Sequence, residues 1–172
     1  MNVKENELKR DFIDSSCYRL DESFRMIKKS FESLSAEDIW KRPNKASNSI
    51  GNLMLHLKGN ITQYAIAGLG GEEDIRDRQG EFNATSGYVK DELLRMLGDT
   101  LERAKSYITD CSVEELLRIR EVQGFHMSGT GIIVHVVEHL SYHTGQIAFW
   151  TKILKDKDLG FYEGRDLNIK NG

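Results

Sequence analysis

The chain has 172 residues, 39% hydrophobic and 30% charged, with a formal net charge of −3. Acids outnumber bases, which argues against nucleic acid because phosphate binding needs clustered Lys and Arg. No run is long and apolar enough to be predicted to span a membrane, and the first ten residues lack the apolar centre of a signal peptide, so one domain over residues 1–172 in the cytoplasm is expected.

From about Glu5 to Leu34, apolar residues fall at Leu8, Phe12, Cys17, Leu20, Phe24, Ile27, Phe31 and Leu34. From Cys17 onward the gaps alternate three and four, which predicts a helix packed lengthwise on other helices. Ser35 to Asp38 restarts a short turn, and Trp40 to Asn48, with the single proline Pro43, reads as a loop. Ser49 is a candidate N-cap for a second helix to about Ala67, with Ile50, Leu53, Leu57, Ile61 and Tyr64 inward. Glu72 to Ser86 has no period and reads as a long charged loop. A third helix is predicted from roughly Gly87 to Thr109. Ser112-Val-Glu-Glu115 fits a capping box, and Arg118 to Thr130 reads as extended or loop. The fourth long helix is predicted from about Gly131 to Lys155, followed by a polar, irregular tail. The expected fold is therefore all-α: a four-helix bundle with a long crossover between the second and third helices. Cys17 and Cys111 have no metal spacing and are expected to be free thiols.

Three of the five histidines stand four residues apart in His135-Val-Val-Glu-His139-Leu-Ser-Tyr-His143. On a helix four residues advance about 400°, so His139 and His143 lie one turn apart and about 40° around. Two such imidazoles can converge on one ion, but satisfied histidines have the same spacing, so a third ligand decides. His56 is the candidate, near the border of the second helix's apolar stripe; its competing reading is a core histidine bonded to a carbonyl. Three imidazoles with open positions are the pattern of a catalytic rather than a sealed zinc site. Zinc, nickel, iron and manganese would all accept them.

Ser49-Ile-Gly-x-Leu53-x-x-His56 together with His139-x-x-x-His143-x-Gly145-Gln146 resembles the DinB-like metal-binding four-helix-bundle superfamily. The stretches Asn48 to Gln63, Gly70-Gly71, Arg76-Asp-Arg78 and Glu81-Phe82 are similar to an uncharacterised bacterial branch of it. The resemblance covers the chain from the first helix to Trp150. It implies His56, His139 and His143 as ligands of a divalent ion, zinc or nickel foremost, and a bacterial, cytoplasmic protein that is often a homodimer. It also implies a small-molecule substrate, since relatives include low-molecular-weight-thiol S-transferases and thiol-dependent isomerases. A metal-dependent enzyme activating a thiol or water is expected. The alternatives are a metal-dependent hydrolase and a non-catalytic metal-binding or stress-response protein. Thr144 stands where many relatives carry Arg, so an anion-binding role at that position is in doubt.

Other candidates flank the triad. Asn60, Gln63 and Gln146 have the spacing to orient a ligand or a bound species, or are plain polar residues on helix borders. His135-Val-Val-Glu138-His139 also spells the inverted zinc-peptidase motif, but Glu138 points about 100° from His139 on a helix. His135 otherwise lines the mouth of the site or bonds to structure. His126 reads as a solvated loop histidine or a roof to the pocket. Arg76 and Arg78 either hold an anionic substrate or pair with the acids of their own loop.

Overall fold

Residues 3–172 are described by the structure, a computed structural model. Helix α1 (Val3–Glu32) buries a heptad seam of Ile13, Ser16, Leu20, Ser23, Ile27 and Ser30. Ser16 and Ser30 bend their hydroxyls back onto their own helix, to the Phe12 carbonyl at 2.7 Å and to that of Met26 at 2.9 Å. Their polar groups are thus satisfied inside, and the small side chains let other helices approach closely. Leu8 stands off this seam and is exposed.

Helix α2 (Ile50–Ile61) starts at Ser49, whose hydroxyl accepts the Asn52 N–H while the Asn52 side chain accepts that of Ser49. This reciprocal cap uses Asn where Glu or Gln is usual. The chain continues helically from Thr62 to Leu69, but with π hydrogen bonding, the wider winding often found beside functional sites. The predicted charged loop after it is not wholly irregular. Asp77 caps a short helix, α3 (Arg78–Asn83), by accepting the Gly80 N–H at 2.9 Å.

Helix α4 (Lys90–Asp110) and the short α5 (Val113–Leu117) follow, the latter capped by Ser112. The segment read as extended or loop is an antiparallel hairpin of β1 (Ile119–Val122) and β2 (Phe125–Ser128). Its two-residue turn, Gln123-Gly124, has both residues at positive φ (53° and 79°), as a tight hairpin turn requires. Ser128 then caps α6 (Gly129–Lys155).

Helix α1 packs on α4 and α6, and α2 packs on the same two, so α1 and α2 stand diagonally across a four-helix bundle. Phe31, Ile50, Leu57, Leu97 and Ile132 are fully buried in its core, each stabilising by about 1.5–3 kcal/mol relative to exposure. The crossover of residues 70–89, carrying α3, lies along α2. That placement brings it against the histidines. No helix among the described residues is long and apolar enough to cross a membrane.

Candidate metal centre

The capped start of α2 sets His56 about two turns into the helix, buried to 7% exposure. Helix α6 presents His139 and His143 from successive turns of the facing element. His139 Nε2 lies 3.1 Å from His56 Nε2 and 3.2 Å from His143 Nε2. All three ligand atoms fall within 4.8 Å of one another. A tetrahedral ion with bonds of about 2.0–2.1 Å separates its nitrogens by about 3.3–3.4 Å, so two of the three edges are already near that spacing.

The hydrogen positions on two rings follow from their neighbours. His56 Nδ1 is 3.0 Å from Glu81 Oε2, and His143 Nδ1 is 2.7 Å from Gln146 Oε1. Both partners are acceptors there, so both Nδ1 atoms carry the hydrogen and both Nε2 atoms present lone pairs inward. His139 has one Nε2 hydrogen at most to offer two lone pairs. A divalent cation satisfies all three, and in this sense the residues fit a metal ion.

Electrostatics agree with that fit. Burial, then the imidazoles of His143, His56 and His135, hold His139 down at about 3. Burial also lowers His143, against the opposing bond from Gln146. Both rings are therefore neutral at ordinary pH, the form a metal ligand needs.

A buried ion pair backs His56. Arg76 forks onto Glu81, Nε to Oε1 at 2.7 Å and Nη2 to Oε2 at 2.8 Å, with side chains only 3% and 8% exposed. Burial pushes the Glu81 carboxyl up, but hydrogen bonds from Arg76 and then His56 outweigh it and hold it below the usual range. Arg76 Nη1 also donates to Gln63 Oε1 at 2.9 Å, and Gln63 Nε2 to Asp74 at 2.7 Å. Arg76 is thus committed internally: it pairs with an acid of its own loop, the second of the two readings given for it, and is not free to hold a substrate.

Of the remaining candidates, Gln146 hydrogen-bonds a triad ring and His135 stacks beside one, its centroid 5.4 Å from that of His139. Asn60 reaches His135 Nε2 at 3.2 Å, not His56, and His135 stacks on Tyr64 with centroids 4.1 Å apart. Gln63 acts on the site only through Arg76. Glu138 and His126 are exposed. Thr144 is buried, its hydroxyl bonded to the Leu140 carbonyl at 2.7 Å, so it offers the site no anion-binding group. Phe82 leans on His56 (4.8 Å between centroids) and Tyr142 on His143 (5.0 Å), while exposed Arg78 lies over the Phe82 ring at 4.9 Å. Phe82, Tyr142 and the Glu81 carboxylate carried no periodic signal, since none lies on an apolar stripe. Cys17 and Cys111 are free, and burial raises both thiols.

Residues 7–163 match a family described as a protein of unknown function, DUF1572. The chain belongs to that family. A conserved protein from Enterococcus faecalis superposes with a TM-score of 0.71 at 16% identity, over 91% of this chain and 99% of that one. A DinB-like protein from Bacillus subtilis gives 0.66 at 17% identity, over 88% and 99%. No curated protein matches the chain. The two superpositions show a shared DinB-like bundle, the fold that the sequence resemblance implied.

Proposed function

We propose that this DUF1572 protein is a divalent-metal protein whose ion is held by His56, His139 and His143 and serves a small-molecule reaction, with transfer involving a low-molecular-weight thiol as the leading chemistry. The observation that carries the reading is the convergence of three Nε2 atoms, two of them fixed as lone-pair donors by Glu81 and Gln146. A divalent ion there acidifies a water or a thiol that reaches its open side. The protein's own contribution is orientation: Glu81 and Gln146 hold two rings, and Phe82 and Tyr142 pack beside them. Arg78, exposed over Phe82, is placed to meet an anionic group on the substrate. The thiol preference rests on the resemblance stated above, and zinc or nickel are the expected metals.

The competing reading is an ion that only ties α2 to α6. Elemental analysis after metal loading should give one ion per chain, lost in His143→Ala. Loss of an electrophile should then be followed with a panel of small thiols, and hydrolysis with simple esters and amides. A wild type that retains no ion defeats the metal reading. One that is fully loaded yet consumes none of these substrates defeats the enzymatic part alone.

A further inference from the structure

Four residues of α2 and its π extension, Asn52, His56, Gly59 and Gln63, follow one another at helical spacings of four, three and four. They form one stripe, and each meets the crossover. The Asn52 amide donates to the Glu81 carbonyl at 2.9 Å and the Ala84 carbonyl at 2.7 Å. His56 bonds the Glu81 carboxylate, and Gln63 bonds Arg76. A side chain at Gly59 would collide with the Glu81 carboxylate, so the glycine leaves the notch that admits it. Glu81 is therefore fixed by its backbone, its guanidinium partner and the space opposite it. So much fixation of one buried ion pair is weakly explained by stability, because desolvating two charges offsets much of their attraction.

We propose that Glu81 is a positioning residue that sets the hydrogen of His56 on Nδ1, so that Nε2 is free for a metal ion, and that Arg76 holds Glu81 in place for this task. The proposal rests on the metal reading above. Its sharpest consequence comes from Arg76 Nη2, which is itself only 3.1 Å from His56 Nδ1. While Glu81 is present, both nitrogens donate to the shared Oε2. Without it, the remaining neighbour of Nδ1 is a guanidinium, which can only donate. Nδ1 then becomes the acceptor, and the ring hydrogen moves to Nε2, facing the other two histidines. The loss of Glu81 thus blocks a metal ligand through its tautomer. Removing Arg76 as well takes away the offending donor.

The test uses the full chain as wild type, Glu81→Ala, and Arg76→Met combined with Glu81→Ala. Ring-nitrogen NMR of the metal-free proteins reports the His56 tautomer, and zinc affinity is measured by competition with a chelator. The wild type should show Nδ1–H, Glu81→Ala should show Nε2–H, and the double variant should show a mixture. Zinc affinity should fall by about 10–100-fold in Glu81→Ala and partly recover in the double variant. A pair with a merely structural role would lower thermal stability without moving the tautomer. Should Glu81→Ala fail to fold, the double variant decides alone: it must lose affinity and show the mixed tautomer. An unchanged tautomer, an affinity within about twofold of wild type (under 0.5 kcal/mol), or a double variant no tighter than Glu81→Ala overturns the proposal. A wild type that binds no zinc defeats the metal reading instead, and the metal-free tautomers still decide the role of Glu81.

Discussion

Asp38 shows how one buried carboxylate couples this bundle to pH. It accepts the Ser35 N–H and hydroxyl, both at 2.8 Å, and Lys41 Nζ at 3.0 Å, and it pairs with Lys155 from the end of α6. Burial pushes its carboxyl up, but bonds from Lys155, Ser35 and Lys41 outweigh that and hold it well below the usual carboxylate range. A folded-state value below the unfolded one means stability that is present above about pH 4 and lost as pH falls through the folded value. Asp38→Asn should therefore destabilise by about 1–3 kcal/mol at pH 7, measured from urea midpoints. The gap to wild type should narrow as pH drops below about 4; an equal gap at pH 7 and pH 3 contradicts this. At the same scale, the clustering of His56, His139 and His143 was legible because helical spacing relates residues within a helix and an amphipathic border relates helices. For Glu81 and Arg76 the residues and their pairing within the loop could be read, but their contact with His56 could not. Their position depends on how a crossover lies on α2, and the one local trace of it, Gly59, has several possible reasons in a sequence.

At the scale of elements, the α1 seam separates hydrophobicity from burial. Reading apolar residues alone selects Phe12, Cys17 and Phe24, which are half-buried, and passes over Ser16, Ser23 and Ser30, which are buried. The serines are inside because the seam needs small volume there, and a hydroxyl bonded to its own helix removes most of the penalty of burying it. Ser30→Ala should consequently shift stability by no more than about 1 kcal/mol, whereas Ser30→Leu should overpack the seam and destabilise by about 1–3 kcal/mol. Chemical denaturation of both variants checks this, and a tolerated leucine would mean that the seam is looser than its burial implies. The hairpin after α5 was missed for a related reason. Its turn is Gln123-Gly124, and Gln is an uncommon residue at positive φ, where Asn or Asp would have signalled a turn. The π stretch from Thr62 to Leu69 has no sequence signature that periodicity can read.

At the scale of the molecule, the centre joins α2, α6 and the crossover, three parts of the chain that sequence separates by up to 87 residues from His56 to His143 (143 minus 56). An ion that binds only where these parts are assembled stabilises the assembly by mass action, about 2.7 kcal/mol at a hundredfold excess over its dissociation constant. For a chain of this size that corresponds to a rise in Tm of roughly 5–11 °C. The sign of the pH effect follows from the neutral imidazoles: protons compete for the same lone pairs, so the metal-dependent part of Tm should be full near pH 7 and decline only as pH falls toward the lowered values of the rings, down to about 3 for His139. His139→Ala removes the ring shared by both short nitrogen–nitrogen contacts and should abolish the rise while leaving the chelated protein folded, since the ring is only half-buried. Thermal scans with zinc and with chelator, for wild type and variant from pH 7 down to pH 3, make the comparison complete. Identical Tm values for chelated and zinc-saturated wild type at pH 7 would mean that the three histidines do not hold an ion in the assembled bundle.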